Sequence, residues 1–95
     1  MDIYSVIVRP IETEKTAYQS EYGQYTFEVH PDANKIEIKK AVEAIYHVDV
    51  IAVNVLNMPA KVSQIRGRRL IRRRPAWRKA VVTVAPGQRI EALEA

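Results

Sequence analysis

The stretch from Arg66 to Lys79 limits what this chain can fold into. Eight of its fourteen residues are lysine or arginine, none is acidic, and few could join a core. The bias reaches further on both sides. Between Asp49 and Glu91 there is no carboxylate but ten lysines and arginines, whereas the rest of the chain holds five cations and eleven acids. The formal net charge of +4 is thus the sum of a +10 interval and a −6 remainder. A field so divided calls for a polyanion, and a phosphate backbone fits best.

Around that interval the chain patterns as one small domain. Ninety-five residues allow a single modest core, and 47% hydrophobic with 27% charged residues argues against global disorder. No cysteine is present, which excludes disulfides and thiolate metal sites and fits a cytoplasmic protein. No apolar run approaches the ~20 residues that span a bilayer, so membrane insertion is not expected. Met1-Asp2-Ile3-Tyr4 lacks the charged and apolar segments of a secretion signal.

Ile3 to Val8 is short and apolar, a strand or a helical turn, stopped at Arg9-Pro10. Thr13 is placed to cap a short helix from Glu14 to about Tyr22, with Glu12 and Glu14 favourable to its dipole and Gly23 at its end. Tyr25, Phe27 and Val29 alternate on one face of a strand. Asn34 and Glu37 are spaced as a capping pair. Ile38, Ala41, Val42, Ile45 and Tyr46 then recur at helical period and predict an amphipathic helix over 35–46. Val50 to Leu56 and Ala80 to Val84 read as paired strands, and Pro86-Gly87 as a turn.

Between those strands, Asn57 to Lys79 reads as a long basic arm on a hairpin. The expected class is α+β: a small, mainly antiparallel sheet with helices packed on it and a protruding hairpin arm. Sparse apolar content and mutual repulsion predict an arm, about 59–75, that orders only when RNA neutralises it.

The candidate RNA-binding residues are Lys61, Arg66, Gly67, Arg68, Arg69, Arg72, Arg73, Arg74, Trp77, Arg78 and Lys79. Arginine outnumbers lysine seven to two across 61–79, and its planar fork suits phosphate and base stacking. Helix-turn-helix spacing, zinc ligands and basic-zipper heptads are lacking, which favours RNA over DNA. Gly67 is placed for the tip turn. Trp77 could stack on a base or anchor the last strand against the core; its place directly before an apolar strand favours the anchor. His30 and His47 have no ligand partners at metal spacing and read as structural, so neither a metal nor a cofactor is expected. No nucleophile, base and oxyanion set accompanies the carboxylates, so an enzyme is not expected.

Three blocks then carry a resemblance. Arg9-Pro10-Ile11-Glu12-Thr13-Glu14-Lys15, the stretch from Phe27-Glu28-Val29 through Ala33-Asn34-Lys35 to Val42, and Arg78-Lys79-Ala80-Val81-Val82-Thr83-Val84-Ala85-Pro86-Gly87 closely resemble the bacterial large-subunit ribosomal protein twenty-three family. Val53-Asn54-Val55-Leu56-Asn57 is also similar. The resemblance implies a structural component of the large ribosomal subunit that binds large-subunit rRNA and neighbouring large-subunit proteins at the polypeptide exit tunnel. It implies an arm threaded into rRNA and a rim that docks trigger factor and contacts the signal recognition particle. The family's Ser-Glu-Lys docking motif reads Thr13-Glu14-Lys15 here, which gives Glu14 that role. The chain departs from the family at Arg72, where relatives often have glycine, and at Ala76, where they often have an acid. The first limb of the arm, Val62-Ser63-Gln64-Ile65, is also less basic.

Overall fold

The computed structural model describes residues 2–65 and 69–90, with Glu14 and 61–74 described by their backbone alone. Six strands and three helices follow in the order α1 (Ile3–Val6), β1 (Ile7–Pro10), α2 (Glu14–Ser20), β2 (Gln24–Val29), α3 (Lys35–Tyr46), β3 (Val50–Met58), β4 (Lys61–Ile65), β5 (Arg69–Arg74) and β6 (Trp77–Val84). The architecture is α+β, as its alternating and helical periods predict. The ambiguous N-terminal apolar stretch is both things in turn, a single helical turn capped by Asp2 and then an edge strand.

Four strands form an antiparallel sheet in the order β1-β2-β6-β3. Its register sorts side chains by face. Tyr25, Phe27 and Val29 of β2 align with Val82, Ala80 and Arg78 of β6, and these with Val53, Val55 and Asn57 of β3. Apart from Arg78 and Asn57 at the end of that face, these residues meet α1 and α3 in the core, where Phe27, Ile38, Ala41, Val42, Ala80 and Val82 are completely buried. Tyr46 closes the core with its ring 5.7 Å from that of Phe27. Burying such side chains supplies about 1.5–3 kcal/mol each, the main term holding the fold together.

Both longer helices begin where their caps place them. Asn34 Oδ1 accepts from the Glu37 N–H at 2.8 Å, and Glu37 Oε1 accepts from the Asn34 N–H at 3.3 Å. Thr13 Oγ1 accepts from the Thr16 N–H at 3.2 Å, while Thr16 Oγ1 accepts from the Thr13 N–H at 2.7 Å. Thus α2 starts at Glu14 as expected but ends at Ser20, two residues early. Tyr22 and Gly23 instead close turns onto Gln19 and Ser20, and Gly23 takes φ +76°, which only glycine adopts freely. On the last turn, Gln88 donates to the Ala85 carbonyl at 3.0 Å and Gly87 sits at φ +85°. Ile90 then returns to the core, its N–H donating to Tyr25 Oη at 3.1 Å.

The remaining strands, β4 and β5, pair with each other as a separate antiparallel ribbon. A radius of gyration of 15.3 Å and extents of 52 × 30 × 18 Å exceed the about 13 Å radius of a compact chain of this length. The arm is shorter than its charge run suggests. Trp77, Arg78 and Lys79 belong to β6, because the main sheet continues past the apolar run and pairs them with Met58, Asn57 and Leu56 of β3.

Candidate nucleic-acid interface

The ribbon gathers its cations by pairing. Lys61 stands opposite Arg74, Val62 opposite Arg72, and Ile65 opposite Arg69. A register shift between Lys61 and Val62 leaves Arg73 as the extra residue of a bulge. Lys61, Arg69, Arg72, Arg73 and Arg74 are thereby confined to one two-stranded element. Arg66, Gly67 and Arg68, expected at the tip, lie outside the described residues.

The three residues at the ribbon's root separate. Trp77 and Lys79 share the sheet face opposite the core, Trp77 aligned with Met58, and Lys79 aligned with Glu28 on one side and Leu56 on the other. Trp77 is half-buried and lies outside the core cluster. The expectation that it anchors β6 against the core is therefore corrected: strand alternation puts it out of phase with Ala80, Val82 and Val84. Arg78 is the residue in phase with that core. Its guanidinium turns toward the loop before α3, where Nη1 donates to the Pro31 carbonyl at 3.4 Å and the buried Nε finds no partner among the described residues. Of the sequence-derived cations, Arg78 is partly used inside the fold.

The face that holds Trp77 and Lys79 also carries an ion pair. Arg9 Nε donates to Glu28 Oε1 at 2.9 Å across β1 and β2, with both side chains partly solvent-exposed. Exposed pairs of this kind contribute only about 0–1 kcal/mol. Its effect is to neutralise Glu28 in the row that runs on through Lys79 to Leu56.

The acidic part of the chain has its own surface. Glu14 is the first residue of α2, behind the Thr13 cap. One and two turns on, Tyr18 and Tyr22 are 61% and 66% exposed, their hydroxyls 3.3 Å apart and ring centroids 5.5 Å apart. The hydrogen bond to Tyr18, first, and then desolvation and the Glu21 carboxylate hold the Tyr22 phenol above its ordinary 10.0. Sequence reasoning missed this pair, although the i, i+4 spacing from Glu14 was there to find. Among the described residues, no group of three or more histidines or acids could hold a metal ion, and no helix is long and apolar enough to cross a membrane.

The protein is thus a small α+β body with an arginine-rich two-stranded ribbon. The family described as ribosomal protein L23 matches residues 5–92. Among similar proteins, the large ribosomal subunit protein uL23 of Desulforapulum autotrophicum is 48% identical over 96% of this chain and 95% of its own. Those of Thermus thermophilus and Herpetosiphon aurantiacus are 47% and 45% identical over 96% and 99% of this chain, and over 93% and 98% of theirs. The chain belongs to the ribosomal protein L23 family. The family is one of ribosomal structural proteins and is not known for enzymes.

Proposed function

We propose that this structural protein of the large ribosomal subunit binds large-subunit rRNA through its β4–β5 ribbon at the polypeptide exit tunnel. The observation that carries the reading is the confinement of Lys61, Arg69, Arg72, Arg73 and Arg74 to a ribbon paired only with itself. The interval from 50 to 90 holds ten cations and no carboxylate, which favours a counter-charge from outside it, and arginine's fork matches phosphate oxygens. Arg66, Gly67 and Arg68 extend the same run, and Lys79 with Trp77 adds a cation and an aromatic at its root. Purified protein should bind large-subunit rRNA saturably and with steep salt dependence, and should co-sediment with large subunits. Equal affinity for duplex DNA of the same length would overturn the reading in favour of a small DNA-binding factor.

The α2 end serves as the rim that docks trigger factor and contacts the signal recognition particle. The support is charge: the chain outside 50–90 is net −6, so its carboxylates attract basic partner loops and repel phosphate. Glu14, at the start of α2, is the residue assigned to this contact. Glu14→Ala should lower trigger-factor affinity of purified ribosomes without reducing incorporation of the protein into subunits. Unchanged affinity would remove the assignment.

A further inference from the structure

The main sheet has two edges, and the chain protects only one of them. At one edge, β1 is four residues long, carries the Arg9 charge, ends in Pro10, which has no N–H to donate, and shifts register between Ile7 and Arg9. Short length, charge, proline and irregularity are what keep an edge strand from pairing with another chain. At the other edge, β3 runs for nine residues without a charge, a proline or a glycine. Its own irregularity falls between Val50 and Ala52 and leaves Ala52 to Met58 in regular register. The open side of β3 follows from the hydrogen bonding of β6. The Val84 N–H donates to the Gly23 carbonyl at 2.9 Å, on the β2 side. Alternation then turns Val82 and Ala80 toward β2, and Val81 and Lys79 toward β3, where they face Asn54 and Leu56. The N–H and C=O groups of Val53, Val55 and Asn57 therefore point away from the sheet. Among the described residues no strand pairs with that side. The core also stops short there: Val53 and Val55 lie on the face of Val82 and Ala80 but are only half-buried.

We propose that in the free protein β3 pairs antiparallel with β3 of a second copy, about a two-fold axis at Val55, joining the two four-stranded sheets edge to edge. The strand is complementary to itself in this register. Val55 meets its counterpart, Val53 meets Asn57, Asn54 meets Leu56 and Ala52 meets Met58, so no like charges face each other. The outward N–H and C=O groups gain partners, and the half-buried Val53 and Val55 gain apolar cover. The antiparallel sense also suits the charges. Each basic ribbon follows Met58, so the two ribbons leave from opposite ends of the joint sheet. Each ribbon's root, at Lys61, comes toward the start of the other β3, which Asp49 precedes. A strand from an unrelated protein has no such match at both ends. Because β1 is protected, pairing closes at two copies and does not extend into a filament. One strand pair is a smaller interface than the ~1,200 Å² of stable complexes, so the dimer is weak and forms at micromolar to millimolar protein.

The test is analytical ultracentrifugation of the nuclease-treated full-length protein over a concentration series up to millimolar. A monomer–dimer equilibrium is expected, with no larger species. Over the same series the amides of Val53, Val55 and Asn57 should exchange more slowly, while those of β1 should not change. In the proposed register, positions 54 and 56 of the two copies face each other. Asn54→Lys combined with Leu56→Lys should therefore weaken dimerisation about two- to thirtyfold, because like charges then stand opposite. Asn54→Glu combined with Leu56→Lys should restore it, because opposite charges do. Both positions are exposed, and circular dichroism checks that each variant keeps the fold. A protein that stays monomeric at millimolar concentration overturns the proposal. So does a dimer that the lysine pair leaves intact or that the glutamate–lysine pair fails to restore, since another surface would then hold it. The amide series reads the same edge in the unaltered protein, so it decides the matter where a variant fails to fold.

Discussion

At the scale of the residue, His47 shows how local strain and tertiary need are balanced. It ends α3 in the left-handed region, at φ +56° and ψ +44°, while its N–H still donates to the Glu43 carbonyl at 3.0 Å. A side chain there costs about 1–2 kcal/mol relative to glycine in the same conformation. Glycine would return about 0.4–1 kcal/mol of that through its freer unfolded state. The turn is held because Glu43 Oε2 also accepts from the Val50 N–H at 3.1 Å, tying the helix end to the start of β3. His47→Gly should therefore stabilise the protein by about 0.5–1 kcal/mol. The check is the urea midpoint at unchanged slope; a lower midpoint would mean that the imidazole makes a stabilising contact.

At the scale of the element, the clearest sequence signals belonged to elements whose limits are set by local pattern and caps. The helical period from Ile38 to Tyr46 and the Asn34–Glu37 pair set α3 to the residue. Thr13 started α2 where expected, but the helix's end depended on the chain turning through Gly23 to pair with Val84, a contact 61 residues away that no local pattern encodes. The limits of β6 were legible in principle. The period of two that joins Val84, Val82 and Ala80 continues to Arg78, and an arginine in phase with a core is a sign of a side chain partly held by the fold; the charge run masked it. The candidate ribbon was legible as charge, but its bulge at Arg73 follows from pairing register, which sequence does not show. An isolated two-stranded ribbon is marginal in water, because each strand has a single partner. Amides of β4 and β5 should thus exchange much faster than those of β6, which is paired on both sides, and should slow on rRNA. Equal protection in β5 and β6 of the free protein would show that the ribbon needs no RNA to order.

At the scale of the whole molecule, seven of the fifteen cations and no carboxylate lie between 61 and 74, and this concentration divides binding from folding. The described core of Phe27, Ile38, Val42 and Val82 is built on α3 and the main sheet, to which β4 and β5 add no strand. Removing arginines from the ribbon should therefore leave the described apolar core, the main source of stability, in place. Binding should change in a defined way. Each phosphate contact steepens the salt dependence of RNA affinity by about 0.7–0.9 in a double-logarithmic plot. Replacing Arg72, Arg73 and Arg74 together with alanine should weaken rRNA binding and make that slope shallower by about two to three. The circular dichroism spectrum and urea midpoint should stay close to those of the parent. Weaker binding with an unchanged slope would mean that these arginines position the ribbon without touching phosphate. An unfolded variant would mean that ribbon and body are one cooperative unit, and the partition of charge would then have to be explained by folding rather than by RNA.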